Sequence, residues 1–211
     1  MPRYRITFAK TEAMRFTGNL DVHRSWERMF RRAGLPLAYS QGFSPHPRIT
    51  LAAALPLGCL SVGDLLDVWL TGDLSAADVG EALRRASPPG LLVDGVALLE
   101  GSGPSLPSQV EAAEYEALLE SAPQGESLEA RCASLLASSR VPRARRGKDY
   151  DLRPLIEHLE ADESDRRLRM RLTAREGATG RPDEVLLAMG LDPARAICHR
   201  KRLILASPVN A

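Results

Sequence analysis

The sequence predicts an α+β protein built of two tandem ferredoxin-like (split βαβ) units with antiparallel sheets. Three observations carry that prediction. Over residues 1–100, runs with the two-residue period of a half-buried strand and runs with helical period follow one another as strand, helix, strand, strand, helix, strand, the order of a split βαβ unit. Residues 101–109 hold two Gly, two Pro and three Ser, the composition of a linker. From 110 to 211 the same plan returns in weaker form, with too little identity between the halves to count as an internal repeat.

In residues 4–10 the large apolar side chains Tyr4, Ile6 and Phe8 alternate with Arg5 and Thr7, which predicts the first strand. Asn19 is placed to cap a helix running to about Ala33, with Gly34 as its stop. Val22, Trp26, Met29, Phe30 and Ala33 fall on one face of that helix, and Arg24, Arg28, Arg31 and Arg32 take up most of the rest. Residues 49–55 and 64–70 read as the arms of a hairpin with a long turn. Ser75 then caps a helix over 76–86, ended by Pro88, Pro89 and Gly90, and residues 91–99 supply the fourth strand.

In the second half, residues 111–119 read as a strand and 128–138 as a helix with Leu128, Cys132, Leu135 and Leu136 inward. A basic segment from Arg140 leads through Tyr150, Leu152 and Leu155 to Leu159. Residues 167–174 form the clearest strand, with Leu168, Met170 and Leu172 facing one way and Arg167, Arg169 and Arg171 the other. A short helix over 182–189 and a strand over 196–205 close the chain.

With 211 residues and 44% hydrophobic content there is material for a real core. No apolar run approaches the length of a membrane span, and the N-terminus lacks the apolar region of a secretory signal, so a cytoplasmic location without membrane contact is expected. Cys59, Cys132 and Cys198 are isolated, sit at no metal spacing and cannot all pair, which fits a reducing compartment and predicts no metal site. Net charge is only +1, but it is unevenly spread. Residues 101–139 carry six Glu against the single Arg131, whereas 140–211 carry 16 Lys and Arg against 11 Asp and Glu. That asymmetry suggests a basic face in the last third.

The most unusual stretch is residues 39–48, Tyr-Ser-Gln-Gly-Phe-Ser-Pro-His-Pro-Arg. Gly42 permits positive φ, while Pro45 and Pro47 fix their own φ and push Ser44 and His46 toward extended geometry, so the loop should be rigid. It reads either as a stiff connector or as a ligand-facing lip. In the second case Ser40, Gln41, Ser44, His46 and Arg48 offer polar groups to a phosphate or base edge, and Tyr39 or Phe43 offers a ring to stack on a base. Further candidate RNA contacts are Arg24 and Arg28 on the first helix, Arg143, Arg145, Arg146 and Lys148 in the basic tract, Arg167, Arg169 and Arg171 on one sheet face, and Arg200 on the final strand. Like charges sharing a sheet face repel unless an anion meets them, and arginine recognises phosphate with a planar fork. The alternative is a set of separate solvated patches. For catalysis, Asp21, His46 and Arg48 are the candidates as acid-base and anion-stabilising groups; no nucleophile elbow or Gly-rich phosphate loop occurs.

These residues resemble the radical SAM-linked proteins of unknown function, which are encoded beside or fused to a radical SAM enzyme. The resemblance rests on Phe8 and Lys10, Phe16, Leu20-Asp21, the run Arg31-Arg32-Ala33-Gly34-Leu35-Pro36, the Gly-Phe-Ser-Pro-His-Pro-Arg of residues 42–48, and Leu55-Pro56-Leu57-Gly58. It is strong over the first seventy residues and looser beyond, through Lys148-Asp149-Tyr150-Asp151-Leu152-Arg153-Pro154. One departure is Gly18-Asn19, where the family usually has Ser-His. The resemblance implies a radical SAM enzyme as partner, carrying its own iron–sulfur cluster and SAM. This chain, similar to the standalone form and without a CxxxCxxC, is expected to bind no cofactor. The reading that follows is an RNA-binding accessory acting with that enzyme in tRNA or rRNA modification. The alternatives are an RNA-modifying or RNA-cleaving enzyme in its own right, and a protein-only adaptor for the partner.

Overall fold

The computed structural model describes residues 1–206 apart from 102, 146, 163 and 165. Arg146, one of the candidate RNA contacts, therefore lies outside the described residues. The chain divides into two compact units, Met1–Gln109 and Val110–Ala211, and both are α+β with antiparallel strand pairing. No helix among the described residues is long and apolar enough to cross a membrane.

The N-terminal unit runs β1 (Arg3–Lys10), α1 (Asn19–Arg32), β2 (Ile49–Leu51), β3 (Leu60–Trp69), α2 (Ala76–Ala86), β4 (Leu91–Leu99) and the single turn α3 (Leu106–Gln109). Strand β1 pairs with β3 on one side and β4 on the other, and β2 pairs with β3, so the neighbour order is β2-β3-β1-β4. Strand alternation sends Tyr4, Ile6 and Phe8 of β1, with Leu66 and Val68 of β3, to one face. Val22, Trp26, Met29 and Phe30 of α1 and Val79, Leu83 and Ala86 of α2 join them in one buried cluster, so both helices cover that face. Trp26 sits at its centre, edge-on to Phe8 at 5.0 Å between ring centroids.

The reverse face of this sheet carries a buried ion cluster. Asp67 is fully buried and accepts from Arg3 Nε at 2.8 Å and Arg5 Nε at 2.9 Å. Arg3 also donates to the carbonyl oxygens of Gly103 and Pro104, at 3.3 and 3.0 Å. Together with the buried Leu106 and helix α3, those bonds turn most of the expected linker into a fastened part of the N-terminal unit.

The C-terminal unit runs β5 (Val110–Leu119), α4 (Leu128–Ala137), β6 (Pro142–Arg145), β7 (Lys148–Asp151), β8 (Ile156–Asp162), β9 (Arg167–Arg175), β10 (Ala178–Thr179), α5 (Pro182–Ala188) and β11 (Ala196–Leu205). Strand β5 lies between β9 and β11, and β8 pairs with the other edge of β9, where β10 adds two residues beyond it. The neighbour order β8-β9-β5-β11 is that of the first unit, with second, third, first and fourth main strands side by side. Between α4 and β8 the second unit carries an insertion, the separate β6–β7 hairpin.

Several local expectations change. Gly18, not Asn19, caps α1: its backbone is extended at φ −72° and ψ 163°, and its carbonyl accepts from the amides of Asp21 and Val22. Strand β2 stops at Leu51 instead of running to Leu55, because after Ala52 N–H bonds to Leu65 the chain of small residues bends away. Residues 58–63 are not the turn; β3 already begins at Leu60, after a turn closed by Cys59 N–H on the Pro56 carbonyl at 3.1 Å.

Candidate nucleic-acid interface

Residues 39–48 form a clasped loop. Tyr39 and Pro47 bridge across it, Ser40 N–H donates to the His46 carbonyl at 2.9 Å, and His46 N–H donates to Ser40 Oγ at 3.0 Å. Below the clasp, Arg48 N–H donates to Ala38 at 2.8 Å. Gly42 at φ +129° turns the tip, where Gln41, Phe43, Ser44 and the ring of His46 are all exposed. Phe43 has a relative exposure of 110%, so its ring packs on nothing in the protein.

The three catalytic candidates divide between α1, which carries Asp21, and the loop, which carries His46 and Arg48. Asp21 lies in the first turn of α1 and pairs with Arg24 at 3.1 Å. Ile49 and Val68 belong to the core, so their neighbours Arg48 and Trp69 point to the sheet face away from α1. There the Arg48 guanidinium stacks over the Trp69 ring at 4.4 Å. Among the described residues no hydrogen bond or ion pair links Asp21, His46 and Arg48, which leaves no assembled path for proton transfer between them. Arg28, on the outer face of α1, is exposed.

The arginines of β9 do share one sheet face, and the protein supplies its own anions to meet them. Register sets Glu114 opposite Arg171 and Glu116 opposite Arg169 on β5, and Glu160 opposite Arg169 on β8. The resulting pairs are Arg167–Glu116 at 3.1 Å, Arg171–Glu157 at 2.9 Å and Arg169–Glu160 at 3.8 Å. On β11, Arg202 grips Glu114 with two bonds of 2.6 and 2.9 Å, and Lys201 approaches Glu116 at 3.9 Å. The Arg202 hydrogen bonds hold the Glu114 carboxyl below the usual carboxylate range in spite of partial burial, and Glu114 in turn raises Arg202. The face is an open trough of about 530 Å³ whose lining alternates in sign. Arg200 is 1% exposed and does not reach solvent.

The basic tract lies on the hairpin. Arg143 pairs with Glu184 at 2.6 Å, whereas Arg145 and Lys148, opposed across the two strands, are exposed.

Sequence reasoning passed over the four glutamates of the trough, the Trp69 seat under Arg48, and two buried ionisable groups. Lys10 is 2% exposed, and its Nζ donates to the carbonyls of Arg15 and Cys59 at 3.1 and 3.2 Å. Lys10 and the buried Asp64 line a cavity of about 10 Å³, room for about one water and for no substrate. A signal for Lys10 was present: it continues the phase of Tyr4, Ile6 and Phe8, so the strand pattern itself sends it inward. Among the described residues no group of three or more His, Cys, Asp or Glu is placed to hold a metal, and the three cysteines are buried outside any disulfide.

None of the curated proteins compared matches the chain. Among solved structures, one described as an unknown protein from Galdieria sulphuraria is similar over 90% of this chain and 89% of its own, at 12% identity and a TM-score of 0.30. A family profile matches residues 3–182, from the start of β1 to the first residue of α5, and so reaches into both units. The chain belongs to that family, described as an uncharacterized protein conserved in bacteria (DUF2344).

Proposed function

We propose that the chain is an RNA-binding accessory protein, not itself catalytic, that works with a radical SAM enzyme in tRNA or rRNA modification and meets its RNA through the clasped loop of residues 39–48. Phe43 carries the reading: a wholly exposed ring on a stiff turn, beside the polar side chains of Gln41, Ser44 and His46. Such a ring gains by stacking on an unpaired base, a contact worth about 1–3 kcal/mol. The shared neighbour order supports reading both units as ferredoxin-like, a fold that several RNA-binding modules use. The resemblance described above supplies the partner, which would hold the iron–sulfur cluster and SAM. That Asp21 is paired with Arg24 and Arg48 is stacked on Trp69, with no hydrogen bond or ion pair joining the two among the described residues, favours an accessory over a self-sufficient enzyme.

Filter binding of single-stranded and structured RNA at two salt concentrations tests the proposal. The native chain should bind, bind more weakly at higher salt, and lose about fivefold or more in affinity on Phe43→Ala. Absence of binding, or binding indifferent to Phe43, overturns it. A second reading, a protein-only adaptor, is favoured by the paired charges of the trough, which leave those arginines little need of a phosphate. Co-purification with a radical SAM enzyme after nuclease treatment, from a chain that binds no RNA, establishes that reading instead.

A further inference from the structure

The β6–β7 hairpin sorts its side chains by sign. Directly opposed residues point the same way and successive pairs alternate, so Arg143, Arg145, Lys148 and Tyr150 share one face while Ala144 and Asp149 take the other. Asp151, at the hairpin's end, turns its carboxylate to the amides of Val141 and Arg153, at 2.8 and 3.0 Å. The cationic face opens on a pocket of about 340 Å³ that is lined also by Asp151, Leu155, Gly177, Ala178 and Thr179; the Asp151 carboxylate in that lining is held by the two amides. That volume lies in the roughly 300–1,000 Å³ range of small-ligand sites.

Most arginines of this unit already hold a protein carboxylate or carbonyl. Arg145 and Lys148, among the described residues, hold neither. The acids that act on Tyr150 are themselves engaged: Glu184 by Arg143 at 2.6 Å and Asp183 by Arg181 at 2.8 Å. Burial, and behind it the charge of Glu184, pushes the Tyr150 phenol up, so it remains a protonated donor at neutral pH.

We infer that this pocket binds the phosphate group of a nucleotide, with Arg145 and Lys148 on the phosphate oxygens and Tyr150 against the attached nucleoside. A guanidinium fork and an ammonium on one side of an aromatic ring match that chemistry in charge and in shape. The phosphate can belong to a free nucleotide or to an RNA strand. The inference deepens the RNA reading by naming a phosphate site, and it stands on residues other than those of the loop.

The test uses the full chain, titrated calorimetrically with AMP, adenosine, inorganic phosphate and a single-stranded RNA hexamer, with far-UV circular dichroism confirming the fold of each variant. AMP should bind and adenosine should bind at least tenfold more weakly. The double variant Arg145→Gln/Lys148→Gln should lose tenfold or more for AMP, and Tyr150→Leu several-fold, while Phe43→Ala stays within twofold of the native chain. Hexamer binding without AMP binding, weakened tenfold or more in the double variant, assigns the site to polymer phosphate; AMP binding as tight as hexamer binding assigns it to a free nucleotide. If the double variant misfolds, the single variants Arg145→Gln and Lys148→Gln take its place with the same expectation. The inference is overturned if no phosphate-bearing probe binds, or if a folded double variant binds as the native chain does. Loss of RNA binding on Phe43→Ala with the double variant unaffected overturns the pocket and leaves the loop standing; the reverse pattern does the opposite.

Discussion

Glu114 is a carboxylate whose charge the fold stabilises, which gives its contribution to stability a definite pH dependence. Its folded-state pKa is lowered, first by the Arg202 hydrogen bonds, so the unfolded chain binds its proton more readily than the native one. Stability from this group is therefore fully present above the ordinary value of 4.5 and is lost as pH falls from there through the depressed folded value. Because the Arg202 side chain is 64% exposed, solvent screening keeps the effect small. Urea midpoints of the native chain and Glu114→Gln should thus differ near neutral pH and draw together as pH falls from 4.5 through the depressed folded value; equal spacing at all pH values would refute the assignment. A larger effect belongs to Gly90, which adopts φ +95° beside Met14, where an added Cβ would stand 2.9 Å from the Met14 backbone nitrogen. Gly90→Ala should cost about 2–4 kcal/mol, combining left-handed strain with a clash against backbone. Gly42→Ala, at φ +129° with open space around it, should cost only about 1 kcal/mol in the same denaturation series.

At the level of elements, what the sequence made legible was whatever local chemistry marks. Helix α2 spans the residues expected because Ser75 Oγ accepts from Asp78 N–H at 3.0 Å at one end and Pro88-Pro89-Gly90 bar continuation at the other. Ser75→Ala should accordingly lower stability by about 1 kcal/mol and Ser75→Gly by only a few tenths, read from thermal unfolding; an equal loss in both would point away from the cap. Strand β4 was legible for a similar reason, being a largely apolar run that opens directly after Pro88-Pro89-Gly90. Residues 52–55 misled because Ala and Leu are apolar in any conformation, and nothing local says where a ladder ends. The β6–β7 hairpin lacked the apolar alternation of a strand, since its inserted position leaves both faces largely wet. The trough was half legible. Its arginines and its glutamates could each be read along their own strands, but only the register of β5 against β9 sets them opposite one another, and register is a long-range property. The loop of residues 39–48 stood out because its rigidity is written in its own Gly and Pro, while the Ser40 clasp that closes it was not foreseen.

Over the whole molecule, 28 basic and 27 acidic side chains leave a net charge of +1, so no long-range field draws RNA to the chain. On the function proposed, RNA affinity would come from a few contacts: cations that hold no protein anion among the described residues, and the ring at the loop tip. In the C-terminal unit Arg145 and Lys148, unengaged among the described residues, are the best placed, and each phosphate neutralised on a single strand contributes about 0.7 to the slope of log affinity against log salt. Two such contacts give a slope of about −1.4, shallow beside that of proteins that bind through a broad basic surface. Filter binding between roughly 50 and 200 mM salt should therefore return a slope between about −1 and −2. Arg169→Gln and Arg171→Gln should leave it unchanged, because Glu160 and Glu157 already neutralise those arginines. Arg145→Gln/Lys148→Gln should bring it close to zero while stacking at Phe43 persists. A slope steeper than about −4 would require the trough to open and its arginines to exchange glutamate for phosphate, and would relocate the interface to that face.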